Sequence, residues 1–149
     1  MKVQHHTGIS LVIAAGLFAA FRSLSLSLAA LLTGIFIDID HTFDYLREYG
    51  FRPNIKFFFH VFDDTLFKRV VLIFHGWEWA ILLAVLSMTS KHDPIISGIA
   101  IGLWSHLLCD QFTNGASIWG YSLIFRLSRK FEALKIFPGK GLPTGGREL

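Results

Sequence analysis

Histidine and acidic side chains in this chain stand within or beside its apolar segments. Two pairs have helical spacing: His75 and Glu78 are three residues apart, and His106 and Asp110 are four apart. Residues at these spacings share one face of a helix. Each pair would direct an imidazole and a carboxylate towards one point, which is how helical bundles build metal sites. This mixture of ligands suits zinc, iron or manganese and argues against a calcium site built from oxygen ligands alone.

Further candidate ligands flank the first two apolar segments. His5 and His6 precede the first segment, and the sequence alone does not decide between them. The acidic block DIDHTFD follows the second segment, where carboxylates oppose the helix dipole and need a compensating partner such as a cation. The predicted metal ligands are His6, Asp38, Asp40, His75, Glu78, His106 and Asp110. Seven candidates exceed the three or four protein ligands of one zinc ion, so two ions are plausible.

Metal-activated water is the chemistry that such a centre would supply. A bound metal lowers the pKa of its water enough to give hydroxide at neutral pH. Glu78 or Asp40 is predicted to take the proton, and His41 and Asp44 are predicted to orient the ligands. A polar network that only fixes helix packing is the structural alternative, although an ionisable residue at membrane depth such as Glu78 indicates function by default.

Composition places the chain in a membrane. Of its 149 residues, 52% are apolar and 17% are charged, whereas soluble domains are nearer a quarter charged. A soluble domain of this size would bury too little of that apolar surface. The net charge of +3 is modest and the basic residues are scattered, which does not indicate nucleic-acid binding. A single cysteine, Cys109, excludes a disulfide framework and a thiolate zinc site.

The pattern predicts an all-α integral membrane bundle of about four short transmembrane helices with interfacial segments. One helix over residues 9–37 would be longer than a bilayer requires and would place Arg22 near its middle, so a break is expected at Arg22 and Ser23. Residues 1–137 form the predicted membrane-embedded domain, and residues 138–149 form a flexible tail. The predicted helices cover residues 9–21, 24–37, 70–88 and 95–108, and aromatic interfacial segments lie near 51–62 and 119–137.

Basic residues predict the orientation. With four spans, all but Arg22 and Lys91 fall on the side that also carries the candidate ligands. Lys and Arg are enriched on the cytoplasmic side of membranes, so the N-terminus, the C-terminus and the ligands are predicted to be cytoplasmic. The residues on that side are Lys2, Arg47, Arg52, Lys56, Lys68, Arg69, Arg126, Arg129, Lys130, Lys135, Lys140 and Arg147.

Three blocks of sequence resemble a family of bacterial inner-membrane metal-dependent hydrolases. They are HTGIS from His6, DIDH from Asp38, and SHLLCDQFTNG from Ser105. The chain departs from the family at Ile37, where a proline is common, and in FHGWEWA, where the family reads HRGxTHS and Glu78 would replace a histidine. A looser similarity is to zinc-dependent phospholipase C and P1-type nucleases, which hold zinc with His-x-x-x-Asp pairs.

The resemblance implies a hydrolase in a prokaryotic inner membrane. Together with a site at the headgroup level, it favours a lipid phosphoester or another amphiphile as the substrate and membrane lipid as the surrounding partner. The alternative is a membrane protein that binds or transports a metal without catalysis. Transporters place their charges near the bilayer midplane, whereas these candidates gather at one side, which counts against transport.

Overall fold

The computed structural model describes residues 3–64, 67–114 and 117–137, and it confirms an all-helical class for them, without strands. The predicted tail, 138–149, lies outside the described residues. The helices are α1 (Val3–Phe21), α2 (Leu24–Phe36), α3 (Ile39–Tyr49), α4 (Ile55–Asp64), α5 (Trp77–Thr89), α6 (Pro94–Thr113), α7 (Leu123–Ser128) and α8 (Ala133–Ile136), with a 3-10 turn at Ile118–Tyr121.

The predicted break between the first two apolar segments is confirmed. Helix α1 ends at Phe21, and Arg22 adopts a left-handed backbone conformation with φ of 53°. Ser23 is extended, and its hydroxyl accepts a hydrogen bond from the backbone N–H of Leu26, which caps α2. The chain therefore reverses here, and α1 packs against α2 as an apolar hairpin.

Helix α6 is the central element, because it packs against α1, α2 and α5. Its contact with α2 is close because two of its residues lack side chains. A Cβ atom at Gly98 would meet the carbonyl oxygen of Leu26, and one at Gly102 would meet that of Ala30. Small residues allow such backbone approach between apolar helices. The approach places the end of α2 beside the last two turns of α6.

The predicted helix over residues 70–88 is wrong in its first third, because α5 begins only at Trp77. The preceding segment, 70–76, gives three of its backbone N–H groups to side chains of α3. The N–H groups of Val71 and Leu72 donate to Asp44 Oδ2, and that of Phe74 donates to Asp40 Oδ2 at 2.7 Å. These donors are therefore used outside any helix.

The late start of α5 also overturns a predicted pairing. His75 precedes the helix, and Gly76 between them is extended. Glu78 lies in the first turn of α5. His75 and Glu78 therefore do not share a helix face, and their side chains serve different parts of the molecule.

Two helical runs are long and apolar enough to cross a membrane, judged by length and composition. They are Leu24–Tyr49, which comprises α2 and α3, and Pro94–Thr113. Helix α5 is apolar but shorter. The bundle of four spans stays a prediction. Beside these helices, α3, α4, α8 and the segment before α5 enclose a separate buried cluster that includes Tyr45, Val61, Phe67, Val70 and Ile136.

Candidate metal centre

The predicted metal ligands come mostly from the ends of the apolar helices, and the structure brings six of the seven together. His6 lies near the start of α1, Asp38 lies between α2 and α3, and His75 lies just before α5. All six residues are buried. They are His6, Asp38, Asp40, His75, His106 and Asp110.

Three ligand atoms form a compact triangle at the middle of this cluster. The Nε2 atoms of His75 and His106 lie 3.2 Å apart. Asp38 Oδ1 lies 3.4 Å from His75 Nε2 and 3.3 Å from His106 Nε2. A tetrahedral ion with bonds of about 2.0–2.1 Å separates its ligand atoms by roughly 3.3–3.4 Å. The triangle therefore has the dimensions of one face of such a coordination shell.

The outer nitrogen of each ring in the triangle is already occupied. His106 Nδ1 lies 2.9 Å from the carbonyl oxygen of Gly34, which can only accept, so Nδ1 carries the hydrogen. His75 Nδ1 lies 3.3 Å from Asp40 Oδ2, and donation to this carboxylate likewise places the hydrogen on Nδ1. If both rings are neutral, this arrangement turns the lone pairs of both Nε2 atoms towards Asp38. Metal-binding histidines are commonly oriented by such outer contacts.

Two groups of residues in the cluster could hold a metal ion, and in each the ligand atoms lie within 4.8 Å of one another. One comprises His6, His106 and Asp110. His6 Nε2 lies 3.0 Å from Asp110 Oδ1, and the rings of His6 and His106 stack with centroids 3.9 Å apart. Asp110 also reaches the triangle, since its Oδ2 lies 3.6 Å from His106 Nε2. The second group contacts the triangle through Asp38 and His75.

The second group comprises Asp38, His41 and His75. His41 Nε2 lies 3.9 Å from Asp38 Oδ1, and its ring contacts that of His75 edge-on. Asp38 Oδ2 is buried and has no hydrogen-bond partner in the described part of the chain. The centre therefore contains a carboxylate oxygen that is free to take a ligand or a proton. His41, predicted only to orient the ligands, lies close enough to be one.

The structure does not bring Glu78 to this centre. Its carboxylate instead caps α7, accepting hydrogen bonds from the Ser122 hydroxyl at 2.6 Å and from the backbone N–H groups of Leu123 and Ile124. Acidic groups are favourable at a helix N-terminus, where backbone N–H groups are unpaired. The expectation that Glu78 faces the centre together with His75 is therefore wrong, and its carboxylate anchors α7 to α5.

The other acidic and histidine candidates have distinct surroundings. Asp40 Oδ2 accepts from Phe74 and His75, so this oxygen orients a ligand. Asp44 pairs with Arg47 at 3.2 Å and holds the backbone of the segment before α5, one step removed from the ligands. His5 is exposed whereas its neighbour His6 is buried in the cluster, which selects His6 of the two.

Two buried residues beside the centre were not predicted from the sequence. Arg126 is fully buried, and its Nη2 donates to the carbonyl oxygen of His75 at 2.7 Å. Burial lowers the pKa of Arg126 to about 10, and nearby Asp40 opposes the shift, so the guanidinium stays charged at neutral pH. Burial and the charge of Asp110 raise the pKa of Tyr121, whose hydroxyl accepts a hydrogen bond from Asn114. A lone arginine in the apolar stretch SLIFRL was the available signal.

Comparison of the chain with known protein families, curated proteins and solved structures finds no match. What the centre can do must be inferred from its own atoms. It offers imidazole nitrogens and carboxylate oxygens at metal-bridging distances, most of them shielded from solvent. Such a ligand set suits zinc, iron or manganese.

Proposed function

We propose that the protein is a membrane-embedded, metal-dependent hydrolase whose ion is held by His75, His106 and Asp38. The observation that carries the proposal is the meeting of three acceptor atoms, two Nε2 lone pairs and one carboxylate oxygen, at 3.2–3.4 Å from one another. Three such acceptors repel one another unless a proton or a metal ion lies between them, and a proton bridges only two of them at a time. A divalent metal meets this need with the geometry observed.

The charges around the triangle also favour a divalent cation. Asp38, Asp40 and Asp110 are buried, and Arg126 is the nearby buried cation among the described residues. When the imidazoles are neutral, one guanidinium leaves two of the three negative charges uncompensated, and one divalent ion would neutralise them. Zinc fits the imidazole-rich set. One ion per chain is the expected content, and filling of the His6 group as well would raise it to two.

The proposed reaction is hydrolysis by metal-activated water. A divalent ion held by these residues would lower the pKa of its bound water to near neutrality. Asp40 keeps the His75 ring oriented through Nδ1, and Gly34 does the same for His106. Asp38 Oδ2 is the proposed proton acceptor because it lies in the centre without a hydrogen-bond partner. It replaces Glu78, whose oxygens are occupied at α7.

The proposed location is the cytoplasmic face of a prokaryotic inner membrane, with both termini on that face. Large apolar side chains are exposed along α1, α2, α5 and α6, including Val12, Leu32, Val85 and Met88, and lipid would cover them. The ligands lie at one end of these helices, the end near which most basic residues are placed by the sequence. A phosphoester or another lipid-like amphiphile is the proposed substrate, in line with the family resemblance.

A non-enzymatic metal-binding or transport protein is the second candidate, and the burial of the ligands favours metal binding without catalysis. The side chains of His75 and His106 are both 0% exposed. Structural zinc sites are closed, whereas catalytic sites keep an open position for water. The side chains of Asp38 and His41, at 10% and 13% exposed, mark the more accessible edge of the centre, where a substrate would enter.

Metal analysis of the full chain purified in detergent tests the proposal. We expect about one zinc ion per chain, chelator-sensitive hydrolysis of a phosphoester such as p-nitrophenyl phosphate, and recovery on adding zinc back. His106→Ala should lose both metal and activity, and His6→Ala should lose any ion bound in the His6 group. His5→Ala is the matched control, because His5 adjoins His6 but is exposed. Bound zinc without hydrolysis of any phosphoester or ester would favour the non-enzymatic candidate, and a chain that binds no divalent metal would refute both.

A further inference from the structure

Arg126 is a buried charge that has no direct counter-ion among the described residues. Its side chain is 0% exposed, and no described carboxylate forms an ion pair with it within 4.0 Å. Among the described residues, its Nη2 donates to the carbonyl oxygen of His75, and its Nε and Nη1 have no hydrogen-bond partner. Burying an unpaired charge is costly, and an apolar residue of similar volume is often at least as stable. Fold stability therefore gives a poor account of this arginine.

The backbone that carries Arg126 is tied to two parts of the metal centre's surroundings. Glu78 of α5 holds the N-terminus of α7, the helix that contains Arg126. Just after α7, Phe131 N–H donates to the carbonyl oxygen of Arg126, and Val70 N–H donates to that of Phe131. These hydrogen bonds thus fix the position of Arg126 beside the segment that carries His75.

His75 needs such support because it lies outside the helices. The other histidine of the triangle, His106, is fixed by the long helix α6. His75 lies in segment 70–76, where carboxylates of α3 accept hydrogen bonds from the backbone N–H groups of Val71 and Phe74. Arg126 binds the backbone on the carbonyl side of His75. Asp40 then fixes the ring itself through Nδ1.

We infer that Arg126 is a positioning residue of the metal centre, which sets the place of His75 Nε2 by holding the His75 carbonyl group. The inference rests on the proposed metal-dependent function and adds to it a residue from the peripheral helix α7. The inference also predicts the direction in which loss of Arg126 changes the zinc affinity. Removing a nearby positive charge should by itself strengthen cation binding, whereas loss of positioning should weaken it.

The test uses Arg126→Met, which keeps length and apolar bulk but removes the charge and all donors. Zinc affinity of the full chain in detergent is measured by competition with a chelator, and the visible spectrum of the cobalt-substituted protein reports ligand geometry. We expect zinc to bind about 10–100-fold more weakly, in the range typical of residues that orient metal ligands, and the cobalt spectrum to change. Arg129→Met is the matched control, since Arg129 is an exposed arginine three residues away that lies over the Phe125 ring.

Arg126→Lys keeps a charge and one possible hydrogen bond to the carbonyl, so its zinc affinity should lie between those of wild type and Arg126→Met. If Arg126→Met does not fold, Arg126→Lys alone decides, and wild-type affinity in it would overturn the inference. Unchanged or tighter zinc binding by folded Arg126→Met would overturn it as well, even if thermal stability fell. Absence of zinc binding by the wild-type chain would instead count against the proposed function itself.

Discussion

At the scale of single residues, the position of one hydrogen on each imidazole defines the centre. The carbonyl oxygen of Gly34 and the carboxylate of Asp40 hold the Nδ1 hydrogens of His106 and His75, so the Nε2 atom of each ring is an acceptor whenever that ring is neutral. An isolated pair of histidines could exchange a proton between these nitrogens. Asp38 Oδ1 lies 3.3–3.4 Å from both nitrogens, so the three atoms together could hold a metal ion.

Glu78 provides a prediction at the same scale. In Glu78→Gln, the amide group cannot accept from all three donors of α7, so the variant should lose about 1 kcal/mol of stability and roughly 2–4 °C in Tm. Zinc content should remain that of the wild type because the carboxylate lies outside both groups of ligands. Thermal unfolding and metal analysis of the same preparation measure the two effects. Loss of zinc at unchanged Tm would return Glu78 to the list of ligands.

A site residue can be predicted from the sequence when its role depends on residues close to it in the chain. His106 and Asp110 were recognised from helical spacing alone, and the structure places both in the cluster. Glu78 was misplaced because the apolar run 70–88 has the composition of a helix throughout. That its first residues give their N–H groups to Asp40 and Asp44, about thirty positions earlier, is a long-range contact that no local pattern contains. Arg126 was overlooked for the same reason.

At the scale of helices, the contact between α2 and α6 sets the geometry of the centre. Gly102 lies four residues before His106 on α6, and its missing side chain lets α2 approach. The same approach brings the carbonyl oxygen of Gly34 to His106 Nδ1 and places Asp38, just beyond the end of α2, beside His106 Nε2. Glycine here thus determines the separation of two ligands that belong to different helices.

This contact gives a prediction for the helices. In Gly102→Ala, the added Cβ would lie 2.9 Å from Thr33 Cβ and would also meet the backbone of Ala30, so α2 must move away. We expect a loss of about 1–3 kcal/mol, as for other overpacked sites, together with weaker zinc binding. Thermal unfolding and chelator competition measure both quantities.

Gly16→Ala is the control for this prediction, because nothing lies within 4 Å of a Cβ atom at Gly16 in α1. Alanine there should be neutral or stabilising, since glycine costs about 1 kcal/mol relative to alanine inside a helix. Equal tolerance of both alanines would mean that α2 and α6 are not held at the distance seen here, and the geometry of the triangle would lose its basis.

At the scale of the whole molecule, the polar centre lies at one end of the apolar helices, and apolar side chains cover much of their exterior. The ends of α1, α2 and α6 that carry ligands, together with the segment before α5, lie at one end of the apolar helices, and the turn at Lys91 and His92 lies at the other. The sequence predicted this division from charge and hydropathy. The number of helices that would cross a membrane has no such local signal, because it depends on how short helices such as α5 would be placed in lipid.

The proposed orientation gives the last prediction. A cysteine at Phe51, which is 87% exposed between α3 and α4, should be shielded in intact cells from a membrane-impermeant thiol reagent. A cysteine at exposed Lys91, in the turn between α5 and α6, should be labelled. Both are made in a Cys109→Ala background, and labelling after membrane permeabilisation controls for reactivity. Because positively charged residues collect on the cytoplasmic side, the reverse pattern would place the metal centre outside the cytoplasm and would redirect the search for its substrate to the opposite membrane face.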